Sequence, residues 1–233
     1  LIVGKTLKGK AHTVMAEGGI NAALGNVDHK DDWRAHASDT IREGCFLSDS
    51  DMAEILAKES PEWVFELERW GALFDRTLDG KISQRPFGAH SHIRTCHIGD
   101  RSGLEILQTL LGEVIQRGIR NLDEIVITRI FTSRGIGATA VDLKTGVFFP
   151  IHSKAIILAT GGAARVFKVT SNPGEAYGDG IAMAFDNGAD VMGMEFVQFH
   201  PTCLFHPKAK SFLVSEAVRG EGGILRLISG ERF

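Results

Sequence analysis

Cysteine is scarce in this chain, and its pattern excludes several kinds of site. The 233 residues include three cysteines, Cys45, Cys96 and Cys203, and no two of them form a CxxC pair. An odd number of widely spaced cysteines predicts a reducing compartment and no zinc site. We therefore expect no bound metal.

An excess of positive charge and a long apolar run are also missing. Lys and Arg number 26 against 29 Asp and Glu, which leaves a formal charge of −3 and no electrostatic basis for a nucleic-acid partner. The longest apolar stretches, such as residues 155–159, are far shorter than a membrane span, so we expect no direct membrane span. No signal peptide is visible.

The composition that remains is typical of a globular protein. Hydrophobic residues make up 43% of the chain and charged residues 24%, and this length favours one α/β domain, or one domain and part of a second. The chain begins at Leu1 inside an apolar run and stops just after residues 230–232. We expect that both ends are cuts within a longer protein.

The periodicity of apolar residues predicts alternating strands and helices. Residues 1–3 have the pattern of a buried parallel strand. Residues 31–68 are helical, with N-cap candidates at Ser48, Asp49 and Ser50 and a new helix opening at Pro61. The remaining predictions are a helix over 100–117, strands over 124–131, 137–143 and 147–151 with a hairpin at 144–146, a buried strand over 154–162, a helix over 180–187 and a strand over 191–199.

Two glycine pairs are the first functional signals. Gly18-Gly19 leads into small residues, and Gly161-Gly162 ends the apolar run 155–159. Such pairs let a backbone pass close to a flat cofactor in an open α/β sheet, although an ordinary turn is the commoner reason for them. The GxGxxG fingerprint of a dinucleotide fold is not in this chain, and we expect it just upstream of Leu1.

A series of motifs resembles one enzyme family from end to end. The motifs are residues 11–20 (AHTVMAEGGI), 94–95 (RT), 100–103 (DRSG), 159–162 (ATGG), 178–180 (GDG), 194–202 (MEFVQFHPT) and 215–223 (SEAVRGEGG). In this order they resemble the flavoprotein subunit of succinate dehydrogenase and fumarate reductase. The resemblance implies an α/β, Rossmann-like FAD-binding domain over 1–199 that lacks its first βα unit, and the start of an α+β substrate-capping domain over 200–233.

The resemblance also implies where FAD would bind. His12 occupies the place of the family histidine that bonds covalently to the flavin, whereas on composition alone it would be a solvated loop histidine. A neutral imidazole is a suitable nucleophile near neutral pH. Asp179 would hold the ribityl or phosphate end, a role compatible with capping the helix over 180–187. The other implied cofactor residues are Gly4, Lys5, Thr13, Ala16, Glu17, Gly18, Gly19, Ile127, Thr160 and Gly161.

A second set of residues is implied on the substrate side. His200 would bind a substrate carboxylate, although a lone histidine at the end of an apolar strand is more often structural. Ser215 and Glu216 would contact the substrate, and Glu216 and Arg219 would form part of a proton path. The spacing of Glu216 and Arg219 also suits a surface ion pair of under ~1 kcal/mol. In the family the proton-donating arginine lies farther along, beyond Phe233.

The implied activity is the interconversion of succinate and fumarate by hydride transfer to or from covalently bound FAD, as in the tricarboxylic acid cycle and electron transport. The implied partners are membrane-anchor subunits that carry a quinone site, together with an iron–sulfur subunit, and this chain would be peripheral at the cytoplasmic face of the membrane. Two alternatives stay open. L-Aspartate oxidase has a similar fold and noncovalent FAD, and the segments 88–92 (GAHSH) and 215–219 (SEAVR) favour that alternative. The chain could also be a non-catalytic flavin-binding module.

Overall fold

The computed structural model describes residues 1–133, 135–200, 202–206, 208–215 and 217–232. The helices in this part of the chain are α1 (Trp33–Glu43), α2 (Ser50–Arg69), α3 (Ser102–Gln116), α4 (Asp179–Asp186) and α5 (Ala217–Gly220). The strands are β1 (Ile2–Gly4), β2 (Ile20–Asn21), β3 (Gln84–Arg85), β4 (Thr95–Cys96), β5 (Asn121–Asp123), β6 (Ile125–Phe131), β7 (Ile136–Asp142), β8 (Phe148–Ser153), β9 (Cys203–His206) and β10 (Ala209–Leu213). Short 3₁₀ turns cover His12–Met15 and Ala164–Val166.

Contacts divide the chain into two compact units. Unit 1 comprises Leu1–His12 and Val114–Leu213, and unit 2 comprises Thr13–Glu113 and Val214–Phe233. The resemblance implies a boundary of another kind, between residues 199 and 200, where a substrate-capping domain would begin. That boundary stays a prediction.

Within its described residues, unit 1 contains three separate groups of strands. β1 pairs in parallel with β5, and β6, β7 and β8 form an antiparallel meander. β9 and β10 form an antiparallel pair. The turn between β7 and β8 is the predicted hairpin: Asp142 accepts hydrogen bonds from the amides of Lys144 and Thr145, and Gly146 has a φ of +71°. The turn chemistry therefore predicted this hairpin correctly.

Unit 2 holds the larger hydrophobic core. α1 and α2 pack together, and β2 and β3 flank β4 in an antiparallel sheet. The core cluster contains Ala22, Val64, Ala72, Phe74, Ile82, Cys96 and Ile98. Asp32 caps α1, and Asp49 caps α2 by accepting from the amides of Asp51 and Met52. The Asp49 cap was among the candidates predicted from sequence.

Pro61 does not open a helix as predicted, because it lies inside α2. A proline in a helix has no N–H to donate to the carbonyl four residues earlier, which here belongs to Ala57. The hydroxyl of Ser60 donates to that carbonyl at 3.4 Å. The helix thus continues through the proline with a substitute donor.

Three of the strand predictions differ from the structure. β1 is parallel, as expected, but Leu1 and Ile2 are 61% and 46% exposed rather than buried. Segments 154–162 and 191–199 are not strands, and Ile157 and Phe199 are 92% and 89% exposed. A strand needs a neighbour for its N–H and C=O groups, and neither segment pairs with another strand in the described part of the chain.

Candidate functional site

The Gly18-Gly19 turn in unit 2 is pressed against strand β4. Gly19 has a φ of +124°, a conformation that side chains rarely adopt. A Cβ atom at Gly19 would lie 2.7 Å from Cγ2 of Thr95 and still closer to the carbonyl oxygen of Cys96. A Cβ atom at Gly18 would lie 2.9 Å from the ring of Phe87. Close packing therefore requires glycine at position 19, in addition to any ligand, whereas a side chain at position 18 would have to displace the ring of Phe87.

Arg85 holds this turn from one side. Its Nη2 atom donates to the carbonyl oxygens of Glu17 at 2.9 Å and Gly18 at 2.7 Å. In a trans peptide the N–H points opposite to the C=O, so the N–H groups of Gly18 and Gly19 point away from Arg85. The side of the turn opposite the arginine therefore presents backbone donors to a ligand with hydrogen-bond acceptors. Sequence reasoning missed Arg85, and nothing in its local pattern marks it.

The turn that contains the candidate attachment histidine precedes these glycines. His12 opens the 3₁₀ turn His12–Met15 and is exposed, as are Thr13 and Ala16. The amide of Gly103, at the start of α3, donates to the carbonyl of Ala16 at 2.7 Å. A Cβ atom at Gly103 would lie 2.8 Å from that of Ala16. The segment leading into Gly18-Gly19 is thus fixed by the N-terminus of a helix.

In unit 1 the structure brings together several of the other candidate cofactor residues. The Nζ atom of Lys5 forms an ion pair with Asp179. A Cβ atom at Gly180 would lie 2.9 Å from Cβ of Thr160, so the turn before Gly161 packs directly on the start of α4. Asp179 does not cap α4, because the N-cap position is Gly178 and Asp179 is the first helical residue.

Two more of the candidate cofactor residues of unit 1, Gly4 and Ile127, lie in paired strands. Gly4 ends β1 opposite Asp123 in the parallel pair. Ile127 lies in β6 opposite Ala140, and its side chain is half-buried. Neither side chain has a polar group, so any contact with a ligand would use backbone atoms.

The substrate-side candidates lie in different units. His200 belongs to unit 1 and is half-buried, and its Nδ1 atom accepts from the amide of Thr202 at 3.3 Å. A neutral His200 therefore carries its proton on Nε2, where it can donate to a carboxylate. In unit 2, Ser215 is half-buried and Arg219 is exposed on α5. Glu216, the partner proposed for Arg219, lies outside the described residues.

A buried ion cluster in unit 2 was not predicted. The guanidinium of Arg94 is fully buried and lies 2.8 Å from carboxylate oxygens of both Asp31 and Asp39. Burial raises the pKa of Asp31 despite the neighbouring arginine. Burial also acts to raise the pKa of Asp39, but hydrogen bonds from Ser91 and the charge of Arg94 outweigh it and hold that pKa below its usual value.

Two histidines lie beside this cluster. Burial, together with the charge of Arg94, lowers the pKa of His36 to about 4 and also lowers that of His90. Both side chains, with Asn21, line a pocket of about 230 Å³. No set of three or more His, Cys, Asp or Glu side chains within the described residues is arranged to hold a metal ion.

The described helices include none that is both long enough and apolar enough to cross a membrane.

Comparison with known proteins assigns the family. A family model described as an FAD-binding domain matches residues 1–233. A Methanothermobacter marburgensis protein named as a subunit of fumarate reductase (CoM/CoB) is 45% identical over 237 residues, covering 100% of this chain and 43% of that protein. The mitochondrial succinate dehydrogenase [ubiquinone] flavoprotein subunit of Oryza sativa is 38% identical over 242 residues, covering 99% of this chain and 38% of that protein.

A solved structure gives the same result. In the Mycobacterium smegmatis Sdh1 complex in its apo form, a chain that is 48% identical superposes with a TM-score of 0.88, covering 98% of this chain and 41% of that one. This chain therefore spans about two-fifths of the length of its relatives. The expected FAD-binding fold of mixed helices and strands is confirmed, and the chain belongs to the FAD-binding domain family that includes succinate dehydrogenase and fumarate reductase flavoprotein subunits.

Proposed function

We propose that this chain is part of a flavoprotein subunit that interconverts succinate and fumarate. The observation that carries the proposal is the Gly18-Gly19 turn: Arg85 donates to the carbonyls of Glu17 and Gly18, and the N–H groups of Gly18 and Gly19 point to the opposite side. It directly follows the exposed turn that begins with His12. Relatives that match the whole chain are named for the same two activities.

The residues present fit FAD in two respects. The N–H groups of Gly18 and Gly19 can donate to ring acceptors, and the exposed backbone of Thr13 and Ala16 borders the same turn, beside the half-buried Glu17. FAD, when bound, supplies an acceptor or donor for a hydride and passes electrons onward.

The candidate residues of unit 1 would meet the rest of the cofactor. Gly4 is the last residue of a parallel strand and Lys5 follows it, at the end of the strand where nucleotides bind in α/β folds. Asp179 is fixed by its ion pair with Lys5, so the two would act together. Thr160, Gly161 and Ile127 complete this set.

We further propose that FAD is bound covalently through His12. His12 is exposed at the start of the 3₁₀ turn that precedes the glycine pair in the sequence, so no packed side chain has to move before its imidazole can react. The test is to denature the full-length protein in acid and measure flavin fluorescence on the polypeptide. His12→Ala should release all flavin, and the matched control His29→Ala, another exposed histidine, should retain it. Complete release from the unsubstituted protein would refute the covalent bond.

On the substrate side, the Nε2–H of His200 would donate to one carboxylate of succinate, with Ser215 as a second donor. The proton that leaves the neighbouring carbon would pass directly to an arginine farther along the full-length chain, and Glu216 and Arg219 would form the path that relays it from there. His200→Ala should raise the KM for succinate at least tenfold, about the value of one charge-assisted hydrogen bond. An unchanged KM would remove His200 from the site.

Substrate identity is tested by turnover with an artificial electron acceptor. Succinate oxidation is expected, with no L-aspartate oxidation. Oxidation of L-aspartate with noncovalent flavin would instead support L-aspartate oxidase. Bound flavin with turnover of neither substrate would support a non-catalytic flavin-binding module.

The proposed electron partners are membrane-anchor subunits with a quinone site, together with an iron–sulfur subunit, and they would hold this chain peripherally at the cytoplasmic face. The name of the Methanothermobacter relative, which refers to CoM/CoB, supports a second candidate in which CoM and CoB supply the electrons for fumarate reduction. Fumarate reduction by the purified complex should be measured with a reduced quinone and, separately, with CoM and CoB. The donor that supports turnover decides between the candidates.

A further inference from the structure

The segment after Arg85 lies against the Gly18-Gly19 turn and is held there by side chains of unit 2. The ring of Phe87 contacts Gly18, and its centroid lies 5.9 Å from that of His90. Between them, Ala89 has a φ of +67°, a strained value for a residue other than glycine. Strain of this kind persists only when neighbouring interactions fix the segment.

The hydrogen bond between Asn21 and His90 is one of these interactions. In the structure Oδ1 of Asn21 accepts from the hydroxyl of Thr95 at 2.8 Å, and the Nδ2 atom of the same amide faces His90. The Nδ2 atom of Asn21, 3.2 Å from Nε2 of His90, must then be the donor. The imidazole of His90 therefore accepts at Nε2, and its neutral form carries the proton on Nδ1.

This hydrogen bond connects strand β2, which follows the Gly18-Gly19 turn, with the segment that packs on Gly18. Asn21 lies in β2, two residues after Gly19, and Thr95 is the residue whose methyl group packs on Gly19. His90 lies at the far end of the segment that packs on Gly18. Ser91, the next residue, is anchored by its amide and hydroxyl to Asp39, at 2.9 and 2.7 Å.

A cationic imidazole has N–H groups on both nitrogens and cannot accept from Asn21. The charged and titratable groups that act on His90 come from two directions. Arg94 and His36 oppose its protonation, whereas Asp39, Asp31 and Glu43 favour it. The pocket of about 230 Å³ beside His90 and Asn21 gives the ring space to move if the bond breaks.

We infer that His90 is a positioning residue: as a neutral imidazole protonated on Nδ1, it accepts the Asn21 hydrogen bond and holds the Phe87–Ala89 segment against the Gly18-Gly19 turn that binds flavin. Loss of the bond lowers the fraction of molecules with the turn in its binding conformation, and the apparent affinity for FAD falls by the same factor. The inference rests on the proposed flavin site and does not depend on the identity of the substrate.

The test measures FAD affinity in the full-length protein, by quenching of flavin fluorescence. All variants carry His12→Ala, so that flavin can exchange. At pH 7.5, His90→Phe should weaken binding about tenfold, because Asn21 loses its acceptor. His90→Gln supplies an amide oxygen that can accept from Asn21 and should stay within about threefold of the parent.

The pH dependence of FAD affinity distinguishes a positioning role of His90 from a role in packing alone. Affinity in the parent should fall as the pH decreases through the pKa of His90, which burial holds below its usual value. His90→Gln should lack this fall. The matched control is His92→Gln, because His92 is a neighbouring histidine that bonds to Asp28 instead. It should keep the parental profile.

Two results would overturn the inference: equal affinities for His90→Gln and His90→Phe, or the same pH profile in the parent and His90→Gln. If His90→Phe does not fold, the comparison of the pH profiles of the parent and His90→Gln still tests the role of His90. Failure of the parent itself to bind FAD would contradict the proposed function rather than the role of His90.

Discussion

Gly19→Ala should both destabilise unit 2 and impair flavin binding. Gly19 has a φ of +124°, and the added Cβ atom would meet Cγ2 of Thr95 at 2.7 Å and the carbonyl oxygen of Cys96 more closely. One of these obstacles is backbone in the middle of the sheet, so it cannot move without disturbing the pairing of β2 with β4. Gly146→Ala is the matched control, since Gly146 also has positive φ, +71°, but nothing lies within 4 Å of its Cβ position.

The expected loss of stability has two sources, the positive φ at Gly19 and the close contacts of the added Cβ atom. Positive φ costs an alanine roughly 1–2 kcal/mol, and the forced displacement of packed atoms costs roughly 1–3 kcal/mol more. Gly19→Ala should therefore lower the free energy of unfolding by about 2–5 kcal/mol. Gly146→Ala should lower it by only the first amount, about 1–2 kcal/mol.

The assay is urea unfolding followed by far-UV circular dichroism, with flavin content measured on the same samples. Gly19→Ala should shift the midpoint further than Gly146→Ala and should lose flavin, whereas the control should retain it. Equal shifts would mean that the close approach of Gly19 to β4 carries no energetic weight. Full flavin retention in Gly19→Ala would remove this turn from the flavin site.

Three further predictions concern buried groups of unit 2. A carboxyl with a lowered pKa stabilises the fold above its unfolded pKa, and this stabilisation is lost as the pH falls through the folded value. Since the pKa of Asp39 is lowered, Tm should fall between pH 5 and pH 3 by more in the parent than in Asp39→Asn. Arg94→Met leaves the buried carboxylate of Asp31 without a cation and that of Asp39 with Arg42 alone, and it should cost about 3–5 kcal/mol in urea unfolding at pH 7. The exposed Arg69→Met should cost under ~1 kcal/mol, and equal losses would contradict the cluster's role. Burial raises the pKa of the Cys96 thiol to about 12, so a thiol reagent at pH 8 should label the exposed Cys45 in the native protein and Cys96 only after denaturation. Rapid native labelling of Cys96 would contradict its burial.

The predictions from sequence succeeded where the signal was local. The cap at Asp49 and the hairpin at residues 144–146 depend on side chains within three residues of the backbone groups that they bond. The motif series also identified the family, which the comparisons confirm. Pro61 was placed wrongly because a single residue was taken as a helix start, although the apolar face of α2 continues through it and Ser60 supplies the missing donor.

The wrong strand predictions have a different cause. Apolar runs at 154–162 and 191–199 have the composition of buried strands, but a strand forms only where another backbone pairs with it. The composition of a segment indicates whether it tends to form a strand, but it does not indicate whether another strand will pair with it. The exposure of Ile157 and Phe199 is the result.

The composition was enough to indicate a globular α/β protein, and the series of motifs, through its resemblance to one enzyme family, was enough to identify the flavin-binding family. They also determined that Gly18-Gly19 is a close turn, because glycine pairs reflect backbone geometry directly. Only the tertiary structure revealed what holds that turn. Arg85 reaches it across 67 residues, and Arg94 meets Asp31 across 63. Ion pairs and hydrogen bonds over such separations depend on how the chain folds back on itself, and no local pattern of residues encodes them.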